Sequence, residues 1–242
     1  MRDSAPFQPD DLKALGDLLD RAAAVVAMQE IAAGNLEARV IALRHDVDND
    51  HALAVAVRMA EWEAERGYRS TYFLLHTSGY WNEGELRRSA ERIAVCGHEI
   101  GIHANAVAEA LRTGGDPAEI LHEAIGELRS FGFPIRGVVA HGDGLCGDAH
   151  FVNDEMFVEC ARPAFGSPRR TLFHNGRALT LNPTPLASFG LTYESYRAGQ
   201  RVGYLSDSGG RWNTPFADVA AAFPLPGQLH VLVHPDWWKE AF

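Results

Sequence analysis

Apolar residues along this chain follow two periods in alternation. Stretches with apolar positions three and four apart, the spacing of one helix face, give way to short unbroken apolar runs, the mark of strands buried on both sides. Asp10 and Asp11 stand as caps before a helix that carries Leu12, Leu15, Leu18 and Leu19 on one side, and Gly34 with Asn35 closes that region. Val40 to Leu43 reads as a buried strand running into Arg44-His45-Asp46-Val47-Asp48. A helix over Leu53 to Arg66 stops at Gly67, and Ser70 to Leu75 is the next strand. The pattern repeats with a helix over Glu85 to Val95, a stop at Gly97 and a strand over His98 to His103. It repeats again with a helix over Pro117 to Phe131, a stop at Gly132 and a strand over Ile135 to Ala140. Beyond Gly142 the regularity yields to loops rich in Gly, Asn and Pro through about Tyr193. Apolar strands return at Val202 to Leu205 and at His230 to Val233. Such alternation predicts parallel βα units, hence an α/β fold. No fixed-period repeat, low-complexity tract or linker interrupts it, so one domain over 1–242 is expected, residues 1–35 being a helical extension packed on it.

Composition narrows the classes. The 242 residues are 46 % hydrophobic and 22 % charged, enough for an ordinary core and incompatible with wholesale disorder. Basic residues number 22 against 32 acidic, a net charge of −10, and no basic run offers a footprint for a phosphate backbone, so nucleic acid is set aside. Cys96, Cys146 and Cys160 are odd in number and lack CxxC spacing, which fits a reducing compartment better than a disulfide framework. The start, MRDSAPFQPDDL, has no basic-then-apolar signal pattern, and no apolar run approaches the ~18 residues of a membrane span. The expected location is the cytoplasm.

Ionisable residues collect at the carboxyl ends of the expected strands. The first ends in Asp46 and Asp48, the second in His76, the third in His103, the fourth in His141 and Asp143, and the late ones in Asp207 and His234. Parallel barrels and open parallel sheets place their active sites at these ends. Asp46 and Asp48, two apart on a strand, share a face, so one carboxylate can bind a cation while the other takes a proton from water. Arg44 is placed to pair with Asp46. The segment His98-Glu99-Ile100-Gly101-Ile102-His103 is not the zinc motif HExxH, because its histidines are five apart and face opposite ways on a strand, roughly 16 Å from one another. His103 is therefore the candidate ligand and His98 structural. His230 and His234 lie ~13 Å apart at strand rise, which leaves His234 as the site candidate. Trp212, Trp237 and Trp238 offer rings on which a sugar face can stack, Trp212 first among them; the cysteines read as small buried hydrophobes.

Taken together, LRHDVDND, STYFLLHTSGYWN, GHEIGIH, VVAHGDG, YLSDSGGRW and VLVHPDWW resemble, in that order, the polysaccharide deacetylase superfamily (carbohydrate esterase family 4 and relatives), and more closely its HDVD-type branch. The resemblance runs from about residue 38 to residue 238. It implies a distorted, partly open (β/α) barrel of about seven strands. It also implies metal-dependent hydrolysis of an N-acyl group, most often N-acetyl, on an amino sugar or sugar-containing precursor. By the same resemblance Asp46 matches the base, Asp48 a metal ligand, His103 the first histidine of the family's HxxxH motif and His234 the general acid, oriented by Asp207. Two positions depart from the pattern. The second HxxxH histidine falls on Val107, and the usual arginine motif of the fourth strand is replaced by Ala-His-Gly-Asp. His141 is then the candidate third ligand, with His76 and Trp212 as substrate contacts.

A His/carboxylate set favours Zn²⁺, with Co²⁺ or Ni²⁺ as alternatives. The expected partner is an N-acylated sugar or glycan precursor. Two rival readings stand beside the deacetylase: a binding or scaffold member that kept the fold and lost the metal, and a deformylase or other amidohydrolase acting on a non-sugar amide.

Overall fold

The computed structural model describes residues 6–34, 39–160, 170–223 and 227–242; Asn35, expected to close the first helical region, lies outside them. The strands are β1 Ala24–Val26, β2 Val40–Val47, β3 Thr71–Leu75, β4 Glu99–Ala104, β5 Gly137–Ala140, β6 Arg170–His174, β7 Arg177–Leu181, β8 Tyr193–Glu194, β9 Gly203–Ser206 and β10 Gln228–Val233. The helices are α1 Pro9–Leu19, α2 Met28–Ala33, α3 Asp50–Glu65, α4 Glu83–Val95, α5 Ala106–Thr113, α6 Pro117–Ser130, α7 Gly144–Asp148, α8 Ser195–Ala198 and α9 Phe216–Ala222. Seven strands follow the order β8-β5-β4-β3-β2-β10-β9, with β1 beside β2. The fold is therefore α/β on a parallel sheet, consistent with a half-open, distorted (β/α) barrel.

Two compact units are built from the chain, one of Met1–Leu74, Ser78–Ile100 and Ala198–Phe242, the other of Leu75–Thr77 and Gly101–Arg197. In the first, β2 is the organising strand. β10 runs parallel along one edge, from Gln228 beside Val40 to Val233 beside His45. On the other edge β1 pairs with Val40 to Ala42 and β3 with Arg44 to Val47. All eight residues of β2 are buried, as a strand covered on both faces must be. Ile41, Leu43, Val231 and Val233 join Leu15, Leu18, Val55, Met59 and Trp238 in the hydrophobic core. Each large apolar side chain buried there contributes roughly 1.5–3 kcal/mol.

Several element boundaries differ from expectation. The cap of α1 is Gln8 rather than Asp10 or Asp11; Asp11 instead accepts the Gln8 N–H at 2.8 Å. The amino-terminal segment is not all helix, because Ala24–Val26 supplies β1. Gly67, Gly97 and Gly132 end helical regions in the left-handed conformation, as expected of stops. At Gly97 the need is double, since φ is +87° and a Cβ would meet the Arg69 guanidinium at 2.7 Å.

In the second unit β5 pairs in parallel with β4 and β8. The stretch expected as loop after Gly142 holds an antiparallel hairpin, β6 with β7, closed by Asn175 (φ 47°) and Gly176 (φ 75°). Asn-Gly takes the two positive φ angles of a tight hairpin turn at little cost.

Candidate metal centre and its surroundings

Asp48, His103 and His141 each offer a ligand atom, and these atoms lie within 4.8 Å of one another. This is the group among the described residues that could hold a metal ion. Asp48 follows the end of β2, His103 lies on β4 and His141 follows β5, all at strand carboxyl ends. The donors suit a borderline-soft divalent ion. His103 Nδ1 donates to the Val139 carbonyl at 3.1 Å, which turns Nε2 toward the other donors. His141 Nδ1 sits 3.1 Å from that Nε2, with the rings nearly perpendicular. Two imidazole nitrogens and a carboxylate oxygen so close together could hold a metal ion.

Val107 is not a vacant ligand position. It is fully buried in the first turn of α5, and its N–H and that of Ala108 both donate to the Asn153 side chain, at 3.1 and 3.2 Å. The Asn153 amide in turn donates to the His141 carbonyl at 2.9 Å and to Asn105 Oδ1 at 3.0 Å. Asn153 thus ties the first turn of α5 to the end of β5. Asn105 continues the network: its backbone N–H donates to His76 Nε2 at 2.9 Å and its amide to Thr77 and Asp143. His76, expected as a substrate contact, has its Nε2 taken by this backbone bond. Burial, and then the fields of His103 and His141, lower its pKa to about 4. Asp143 caps α7 through Leu145 N–H and pairs with Arg112 at 2.5 Å. Burial works against its charge, but the Arg112 and Asn105 bonds and the Leu145 N–H outweigh it and hold its pKa at about 2.

The first unit has buried pairs of its own. Arg44 is wholly buried and grips Asp46 with both ends of its fork, Nε to Oδ1 at 2.8 Å and Nη2 to Oδ2 at 2.5 Å. A bidentate pair recovers much of the cost of burying two charges. His234 Nδ1 stands 2.6 Å from Asp207 Oδ1, the His234 N–H donates to the same carboxylate at 3.0 Å, and the Trp238 indole donates to Asp207 Oδ2 at 2.7 Å. Burial pushes the His234 pKa down, but the Asp207 hydrogen bond and charge, with the fields of Asp46 and Asp48, overcome it and raise the value to about 9. On the neighbouring strand position, His45 pairs with Glu63 at 2.7 Å, and Ser70 and Tyr72 donate to the same carboxylate. His98 is structural as expected: Nε2 donates to the Ala60 carbonyl and Nδ1 accepts from Ser70 N–H.

Trp212 does not stand among these groups as a free platform. Its ring packs on Phe7, Phe216 and Trp238 at 5.5, 5.2 and 6.1 Å, at the margin of the hydrophobic core. Conversely, Asn49 and Asp236 went unrecognised in the sequence. The Asn49 amide donates to Asp236 Oδ2 at 2.8 Å while its Oδ1 caps α3 through Ala52 N–H. Burial first, then Asp48, raise the Asp236 pKa to about 7. Their signal was position alone, Asn49 directly after Asp48 and Asp236 two residues after His234. Among the described residues no helix is long and apolar enough to cross a membrane. Comparison of the chain with protein-family models, with curated proteins and with solved structures found no match to any of them.

Proposed function

We propose that this protein is a metal-dependent hydrolase that removes an N-acyl group, in the first instance N-acetyl, from an amino sugar or sugar-containing precursor. The observation that carries the proposal is the approach of the Asp48, His103 and His141 donor atoms to within 4.8 Å. In the first unit the end of β2 carries a buried carboxylate, Asp46, and the end of β10 a carboxylate-paired histidine, His234. When bound, a divalent ion, Zn²⁺ for this donor set, supplies Lewis acidity toward water and a carbonyl oxygen. Asp46, clamped by Arg44, presents a fixed carboxylate edge that accepts a proton from water. His234, charged at neutral pH, delivers a proton to the departing nitrogen, a step the reaction needs because an amide anion is a very poor leaving group. Asp207 keeps the imidazole in one orientation while that proton leaves.

The resemblance in sequence supplies the amide and the sugar; the residues alone supply metal-assisted hydrolysis with an acid and a base. The test is release of carboxylic acid from a panel of N-acyl amino sugars and non-sugar amides by the Zn²⁺-loaded protein. Asp46→Asn is expected to lower turnover by about 10²–10⁴-fold, the usual contribution of a general base. Formate released from non-sugar amides alone would replace the reading with a deformylase. No acid from any substrate, with metal bound, would move it to a binding role.

A further inference from the structure

A cavity of about 670 Å³ opens in the first unit, lined by Asn49, His51, Arg58, Asp236, Trp237 and Lys239 among others. Its walls are the start of α3 and the turn after β10, the direct continuations of the segments carrying Asp48 and His234. The volume is that of an ordinary small-molecule site. Its lining sets two cations, Arg58 and Lys239, against two carboxylates, Asp50 and Asp236, in a molecule whose net charge is −10. Each acid accepts a hydrogen bond from a neutral group, Asp236 from the Asn49 amide at 2.8 Å and Asp50 from the Ser78 hydroxyl at 3.4 Å. Arg58 spends one N–H on the Phe242 carbonyl at 2.8 Å and keeps its other donors. Lys239 is exposed, 3.7 Å from its chain neighbour Glu240.

We propose that this cavity is a substrate subsite for an anionic group, a phosphate or carboxylate carried by the acylated sugar. Arg58, Lys239 and His51 supply donors to the anion, and Trp237 supplies aromatic surface to the sugar. The inference rests on the hydrolase reading for its substrate class but concerns different residues and is tested by binding. A neutral sugar draws nothing from the two cations, whereas a charged substituent forms charge-assisted hydrogen bonds with them.

Isothermal titration compares N-acetylglucosamine, N-acetylglucosamine 6-phosphate and N-acetylmuramic acid, on wild type and on the Arg58→Ala/Lys239→Ala double variant. Both replaced residues are exposed, and a melting curve checks that the fold is kept. Wild type is expected to prefer at least one anionic sugar over the neutral one by about tenfold or more, and the double variant to lose that preference. The phosphate and carboxylate arms identify the anion. Equal affinity for all three sugars, a preference that survives in the double variant, or no binding of any sugar at millimolar concentration overturns the proposal. A preference for the anion without acid release leaves the subsite standing and removes the hydrolase reading. Acid release from neutral sugars without any preference does the reverse.

Discussion

The two units differ in how they hold the histidines at their strand ends. Around β2 and β10 the partners are carboxylates: Asp46 for Arg44, Asp207 for His234 and Glu63 for His45, all at 2.5–2.7 Å. Around β4 and β5 the histidines are tied to neutral groups: His103 to the Val139 carbonyl, His76 to the Asn105 N–H, and the His141 backbone to the Asn153 amide. The consequence is visible in two histidines. Despite burial, Asp207 raises His234 to about 9, while burial and neighbouring histidines lower His76 to about 4. The Asp207 carboxylate makes a proton donor of His234, whereas burial beside other histidines keeps His76 neutral.

The contrast can be broken at its strongest pair first. Arg44→Ala leaves Asp46 buried without its counter-charge, and a loss of about 3–5 kcal/mol in urea unfolding is expected. A loss below about 1 kcal/mol would show that the pair is incidental. The second test is Asp207→Asn. Because the folded His234 pKa lies above the ordinary value of 6.5, its stabilising contribution is complete below about 6.5 and vanishes as pH rises through about 9. Wild type should therefore lose roughly 2–3 kcal/mol across that window and the variant little of it. The alkaline limb of the pH–rate profile should move toward 6.5 in the variant. The smallest effect belongs to Val107→His, which restores the histidine spacing of the resemblance. Val107 is enclosed in α5, so the change is expected to cost about 1–3 kcal/mol and to leave metal affinity no higher, measured by melting and by Zn²⁺ titration.

What could be read from the chain follows from the same physics. Strands β2, β3, β4, β5, β9 and β10 were legible because buried parallel strands are near-continuous apolar runs, and the helices between them end at glycines. β1 was hidden in an alanine-rich stretch that suits a helix, and becomes a strand because β2 offers it an edge. The β6–β7 hairpin carried the strongest local signal, Asn175-Gly176 between alternating residues, yet was submerged in a region of many turn formers. Strand ends carried the metal-ligand candidates, so Asp48, His103 and His141 could be named from position and residue type. The groups that hold them could not. Asn153 sits 46 residues from Val107, and Asn49 is 187 from Asp236, with no periodicity to connect them. The packing of Trp212 against Phe7 and Trp238 was equally hidden, since an aromatic beside a site motif gives no sign of which rings it meets.

The central claim is that Asp48, His103 and His141 form one metal site, with His141 standing in for the ligand absent at Val107. The direct measurement is metal content by elemental analysis on protein purified without an affinity tag, for wild type, Asp48→Ala and His141→Ala together. The account predicts about one equivalent of divalent metal in wild type and loss of it in both variants. Wild type that stays empty after incubation with Zn²⁺, Co²⁺ or Ni²⁺, or a His141→Ala variant that keeps its full complement, would contradict it.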